Sequence, residues 1–291
     1  MSLPPNVRAV VTGAGSGIGR AFAVELGRRK GSVLCADLNV ETAEETARLV
    51  EGAGGVGLAV RADVAKIEDV EHVAADADAR LGGVDLVINN AGVAVGGLVG
   101  DVSLEDWRWL MGINLWGVVY GCHVFVPRLK KQGRGHVINV ASAAGFVSGP
   151  RMGPYNVSKA GVIALSETLA GELAGTGVGV TVLCPTFIKT NIAKSARGND
   201  HHGMKMVERL MEASKHTPED VARMTLDAAG KDRLYVLPQN DARWLWRVKR
   251  LDPARFYGVL VPRALRAMSD PSGPDLSKIA KGIWQGLRGE P

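Results

Sequence analysis

The chain has 291 residues, 46% hydrophobic and 22% charged, with 37 glycines in short clusters of no fixed period, which excludes wholesale disorder and a collagen-like fibre. Three scattered cysteines exclude a disulfide framework or a zinc site; Cys35, Cys122 and Cys184 lie in apolar runs and read as buried thiols in a reducing compartment. Of the net charge of +5, residues 241–291 hold ten Lys/Arg and five Asp/Glu, leaving 25 of each in residues 1–240, so the body is neutral and is no basic nucleic-acid-binding domain.

In chain order, Val7–Thr12 is a short valine-rich run, followed by a glycine-rich turn and a helical stretch from Gly17 to about Lys30. Ser32–Asp37 is the next apolar run, then a helix over Glu41–Glu51, the run Val56–Asp63, a helix over Ile67–Leu81 and the run Val84–Asn89. A long helix is predicted from Leu104 to Lys131, then strand Gly135–Ser142, helix Gly153–Gly175 and strand Gly179–Pro185. Helix Pro218–Ala229 and strand Arg233–Leu237 complete the set. The seven β runs are continuously apolar, as when helices cover both faces of a sheet. They predict an α/β fold, a doubly wound parallel seven-stranded Rossmann sheet in a single domain, residues 1–240, with an extra basic, tryptophan-containing tail over 241–291.

The N-terminus lacks the charged start and long apolar core of a signal peptide, so a cytoplasmic location is expected. The charge-free stretch Trp109–Pro127 is long enough to span a bilayer, but it contains Asn114, His123, three glycines and a closing proline. A helix buried inside the protein is expected there.

In such sheets ligands bind beyond the C-terminal strand ends. There the first turn reads Thr12-Gly-Ala-Gly-Ser-Gly-Ile-Gly19, with the spacing Gly13-x-x-x-Gly17-x-Gly19. Glycines allow a tight turn and close backbone approach to a pyrophosphate at the helix N-terminus. Asp37 ends the second strand, 18 residues after Gly19, where a carboxylate accepts hydrogen bonds from adenosine ribose hydroxyls and repels a 2′-phosphate. Ser16 and Leu38 flank that pocket and supply no cation, which favours NAD(H) over NADP(H). Asp63 either flanks the adenine or caps the following helix.

Tyr155 and Lys159 stand four residues apart within a predicted helix, on one face. A free tyrosine titrates near ~10, so it needs a cation such as Lys159 to act as a base around neutral pH. Ser142, at the end of the fifth strand, can orient a substrate oxygen.

The sequence resembles the short-chain dehydrogenase/reductase family in its single-domain, NAD-preferring form. The resemblance rests on Thr12–Gly19, Asn89-Asn90-Ala91-Gly92, Asn114, Ser142, Tyr155-x-x-x-Lys159 and Pro185-Thr-Phe-Ile-Lys-Thr190, in family order over residues 7–238. Thr186 stands where many members have glycine. The resemblance implies an oxidoreductase acting on CH–OH groups, with Tyr155 as general base in oxidation and acid in reduction. Lys159 would lower the tyrosine pKa and bond the nicotinamide ribose, Ser142 would polarise the substrate oxygen, and Asn114 would hold a water in a proton relay. Asn114 also reads as a buried polar residue interrupting an apolar helix. The implied cofactor residues are Gly13, Ser16, Gly17, Ile18, Gly19, Asp37, Leu38, Asp63, Val64, Asn90, Ala91, Gly92, Tyr155, Lys159, Pro185, Ile188 and Thr190. Of these, Ile188 and Thr190 bracket the nicotinamide amide. No metal is expected, and His201-His202 reads as solvated surface.

The segment after the sixth strand, 191–216, is expected to form a lid over the substrate, with Ala193, Met204, Met206, Leu210 and Met211. Phe146, Val147, Met152 and Val93–Val95 would add apolar walls, pointing to a hydrophobic secondary alcohol or ketone, lipid-like or steroid-like. The alternatives are an NADP-dependent carbonyl reductase, a non-catalytic dinucleotide sensor or scaffold, and a nucleotide-sugar epimerase. The Gly13-x-x-x-Gly17 spacing and the lack of a large sugar domain disfavour the epimerase. A homodimer or homotetramer built on Trp107–Val126 and Gly153–Gly175 is implied by the resemblance. The tail, with Arg243, Arg247 and Arg250 on one helical face and Trp244, Val248 and Leu251 on another, packs onto the body or a sister subunit, or lies on a membrane surface.

Overall fold

The structure is a computed structural model that describes residues 6–263 apart from residue 194, with backbone alone at His201, His202, Asp241 and Leu260. The chain divides into two compact units at Gln239–Asn240.

In the first unit, strands β1 (Arg8–Thr12), β2 (Ser32–Asp37), β3 (Val56–Arg61), β4 (Leu86–Asn89), β6 (Gly135–Val140), β7 (Val178–Leu183) and β9 (Tyr235–Val236) form one sheet, ordered β3-β2-β1-β4-β6-β7-β9. Every pair is parallel. Two-residue strands β5 (Val95–Gly96) and β8 (Arg197–Gly198) pair separately. The chain order reverses direction between β1 and β4, the switch point at which such sheets open a crevice. The last strand is shorter than the expected Arg233–Leu237, since only Val182 and Leu183 of β7 pair with it.

Helices α1 (Gly17–Arg28), α2 (Val40–Gly52) and α9 (Pro218–Ala229) cover one face, where Phe22, Leu26, Val50 and Leu226 pack on Val33, Ile88 and Ile138. Local signals start these helices. Asn39 accepts from the Thr42 N–H, and Thr217 and Asp220 form a reciprocal cap before Pro218. Helix α3 (Ile67–Leu81) ends at Gly82 with φ +73°, the left-handed turn a glycine takes without strain. On the other face lie α3, α4 (Leu104–Met111), α5 (Gly117–Gln132), the one-turn α6 (Ala144–Val147) and α7 (Gly153–Glu172). The long helix expected from Leu104 is one rod interrupted by a π-turn over Gly112–Trp116. By length and composition Leu104–Gln132 could cross a membrane. Its inner side, from Leu110 through Phe125 to Leu129, is instead buried in the first unit.

Helix α8 (His201–Glu212) lies in the lid segment. The second unit holds α10 (Asn240–Leu251), α11 (Pro253–Arg255) and a π-turn over Phe256–Leu260. All three cysteines are buried, and burial pushes each thiol up to about 12.

His136 on β6 is buried, its Nε2 2.8 Å from the Thr181 hydroxyl. Burial lowers its pKa to about 4, although Asp232 lies 4.0 Å away. Between pH 4 and the ordinary value of 6.5 the unfolded chain binds a proton that the native protein does not. The stability His136 contributes is therefore complete above 6.5 and is lost as pH falls toward 4. A His136→Gln variant is expected to lose less Tm than the parent between pH 7 and pH 5; equal losses would show that the imidazole does not titrate against the fold.

Candidate active site

The site begins where β1 ends. Gly13 and Gly17 have φ +63° and +54°, a backbone conformation that side chains disfavour. A Cβ on Gly13 would stand 2.7 Å from the Ala91 Cα of the loop after β4. Thr12 Oγ1 accepts from the N–H groups of Asn90 and Ala91, at 3.0 and 3.2 Å. The Asn90 Nδ2 donates to the carbonyls of Thr12 and Gly13. Asp37 fixes the other side of the turn, with Oδ2 accepting from the Gly15 N–H at 2.8 Å and Oδ1 from the Asn39 N–H at 3.0 Å. Arg20, which sequence reasoning missed, ties the turn to α2 by donating to the Gly15 carbonyl and to Glu45.

A cleft of about 290 Å³ follows the sheet order above the strand ends. Asp37, Leu38, Asp63 and Val64 line one end, and Gly13, Ser16, Gly17 and Ile18 the turn. Asn90, Ala91 and Gly92 come next, then Ser142, Tyr155, Lys159, Pro185, Ile188 and Thr190. Gly19 does not line it. A Cβ there would meet the Gly13 carbonyl oxygen, so its bareness serves the packing of α1 on the turn. Asp63 lines the cleft and accepts from the Ala65 N–H at 3.1 Å in the turn before α3, whose N-cap is Lys66, so it does not make the expected helix cap. Ala62, Ile113, Val140, Ala141, Thr186, Asn191, Ile192 and Ser195 also line the cleft. Thr186 belongs to the Pro185–Thr190 motif, while the others are apolar or small polar residues in no motif, and nothing in their sequence marked them for the cofactor or catalytic set.

Ser142, Tyr155 and Lys159 meet at the β6–α7 side. Lys159 is buried, its Nζ donating to the Val140 carbonyl at 2.8 Å and lying 5.8 Å from the centre of the Tyr155 ring. Burial lowers its pKa to about 8. Burial also raises the Tyr155 pKa, against the opposing hydrogen bond from Ser142. The Ser142 hydroxyl accepts from the Ala144 N–H at 3.2 Å. Asn114 is fully buried on the π-turn and lies off the cleft lining. Its Oδ1 accepts from the Val93 N–H at 2.8 Å and its Nδ2 donates to the Val93 carbonyl at 2.9 Å. The side chain thus pins the loop after β4.

A family model described as short chain dehydrogenase matches residues 7–201. The chain belongs to this family. It is 37% identical over 238 residues to 1-deoxy-11-beta-hydroxypentalenate dehydrogenase of Streptomyces exfoliatus, covering 81% of this chain and 84% of that one. It is 32% identical over 252 residues to the probable oxidoreductase EphD of Mycobacterium tuberculosis, where it covers 84% of this chain but spans only 43% of that longer protein. The crystal structure of a short-chain dehydrogenase/reductase from Burkholderia phymatum in complex with NAD superposes with a TM-score of 0.83. The two are 34% identical, over 87% of this chain and 96% of that one.

Within this short-chain dehydrogenase frame the segment 191–216 is fastened near its start. Strand β8 pairs with β5, and the Arg197 guanidinium lies 3.9 Å from the centre of the Trp109 ring. Buried Asp200 accepts from Arg151 at 2.6 Å and caps α8 at the Gly203 N–H. Met211 reaches the cleft from α8, as Val93 does from the loop after β4. Phe146, Val147 and Met152, expected as walls, lie off it; Met152 instead bridges to Gly97. The His201 and His202 side chains lie outside the described residues. Arg151 is half-exposed but Asp200 is buried, so removing the arginine takes a charge-assisted hydrogen bond from a buried carboxylate. Arg151→Met is therefore expected to speed tryptic cleavage within 191–216 at least about fivefold, through easier local opening. An unchanged rate would show that the ion pair does not hold the segment.

Proposed function

We propose that this protein is an oxidoreductase that moves a hydride between NAD(H) and a hydrophobic secondary alcohol or its ketone. The observation that carries the reading is that Ser142, Tyr155 and Lys159 line the same cleft as the glycine turn and Asp37. The residues present fit a dinucleotide, since Gly13 and Gly17 leave the turn bare and Asp37 lines the end of the cleft as a carboxylate. Bound NAD supplies the hydride acceptor in oxidation and NADH the donor in reduction. Asp37 would hold ribose hydroxyls at the adenosine end, while Ile188 and Thr190 would orient the nicotinamide end. NAD is favoured over NADP because the carboxylate of Asp37 repels a 2′-phosphate, and the nearby cation Arg20 is engaged by Glu45.

Ser142 would donate to the substrate oxygen and hold it beside the Tyr155 hydroxyl. Tyr155 would then take the alcohol proton, or give one to a carbonyl oxygen. Burial alone keeps the tyrosine protonated, so a nearby positive charge is required. Lys159 suits that task because its hydrogen bond goes to a neutral carbonyl, leaving the charge uncompensated. Its pKa of about 8 keeps it mostly protonated at neutral pH. Val93, Ile192 and Met211 give the substrate end an apolar character, in keeping with the named Streptomyces dehydrogenase.

The test is NADH formation from NAD⁺ across a panel of hydrophobic secondary alcohols, with Tyr155→Phe in parallel. Turnover is expected in the parent and a loss of at least about 100-fold in the variant, with NAD⁺ affinity kept within about threefold. A variant with parental turnover would remove Tyr155 from the proton path. Silence of the parent with NADH still bound would favour the sensor reading.

A further inference from the structure

The net positive charge of this protein comes from residues 241–291, and the helix α10 carries four of their ten cations within eight residues. Successive residues on an α-helix step by about 100°. On that wheel Trp244, Leu251, Arg247, Arg243 and Arg250 occupy one arc of roughly 120°, and all five are exposed. The two apolar members sit together at one edge. Leu251, at 87% exposure, is the most exposed large apolar side chain among the described residues, and Trp244 is 37% exposed.

We propose that this arc of α10 docks the protein onto an anionic lipid bilayer. Arginines along one side would meet lipid phosphates, while Trp244 and Leu251 would enter the boundary between headgroups and acyl chains. The pairing of charge with apolar exposure decides the partner. Nucleic acid would engage the arginines but give Leu251 nothing to bury it. A second copy of the same face would bring arginines against arginines. The sequence beyond residue 263 repeats the composition, with Leu276, Ile279, Ile283 and Leu287 interleaved with Lys278, Lys281 and Arg288. The inference rests on the second unit and stands apart from the oxidoreductase reading.

The experiment is co-sedimentation of the full-length protein with phosphatidylcholine vesicles, with and without about 30% phosphatidylglycerol. Pelleting is expected only with the anionic vesicles, and it should be lost in ~0.5 M salt. Arg247→Glu with Arg250→Glu should lower the partition coefficient at least about tenfold, and Leu251→Ser severalfold. NADH formation in vesicle-free buffer should be unchanged in these variants. No pelleting with anionic vesicles, or equal pelleting with neutral ones, would overturn the proposal, as would binding to duplex DNA or self-association in place of vesicle binding. Should the arginine variants fail to fold, the salt series on the parent decides alone.

Discussion

The site depends on the join between β1 and β4. These two strands neighbour each other in the sheet although β2 and β3 separate them in sequence, and the crevice opens where their ends diverge. The join is clamped at both ends by side chains. At the N-terminal end Arg8 forms a two-pronged ion pair with Asp85, whose carboxyl is held low despite its burial because Arg8 donates to it. At the C-terminal end Thr12 and Asn90 exchange hydrogen bonds with each other's backbone. With Gly13 pressed against Ala91, nothing larger than hydrogen fits between the turn and the loop after β4. The shape of the cleft is thus set by the packing of bare backbone, and the functional side chains are arranged around that gap.

A second constraint is the burial of ionisable groups without a partner of opposite charge. Lys159 is held by a carbonyl and Tyr155 by a serine. Burial disfavours the charged form of both, so each is poised to change protonation when its neighbour does. Lysine gives up its proton more easily than in water, and tyrosine less easily. Ordinary surface packing would pair or solvate such groups, and their retention here marks the place where the fold gives up stability for chemistry.

Much of this was legible in the sequence. The seven apolar runs, the glycine spacing, Asp37 and the Tyr155–Lys159 pair are local patterns, and each carries its physical reason within a few residues. What escaped depends on contacts between distant segments. On the π-turn, Asn114 bonds Val93, twenty-one residues away. The strands β5 and β8 have two residues each, too few for any periodicity to show. Arg151 and Asp200 meet across 49 residues as two unremarkable surface letters. Gly19 belongs to the motif, but only the structure separates its packing role from the cleft-lining positions of Gly13 and Gly17.

We propose that the cleft is built for NAD, with Asp37 setting the preference. Calorimetric titration of the protein with NAD⁺ and NADP⁺ tests it most directly, with Asp37→Asn as the paired variant. Asparagine keeps one oxygen to accept from the backbone of the turn and removes the charge. The account predicts that NAD⁺ binds at least about tenfold tighter than NADP⁺, and that the variant narrows the ratio to within about threefold. Equal affinities in the parent, or a ratio unmoved by Asp37→Asn, would contradict it.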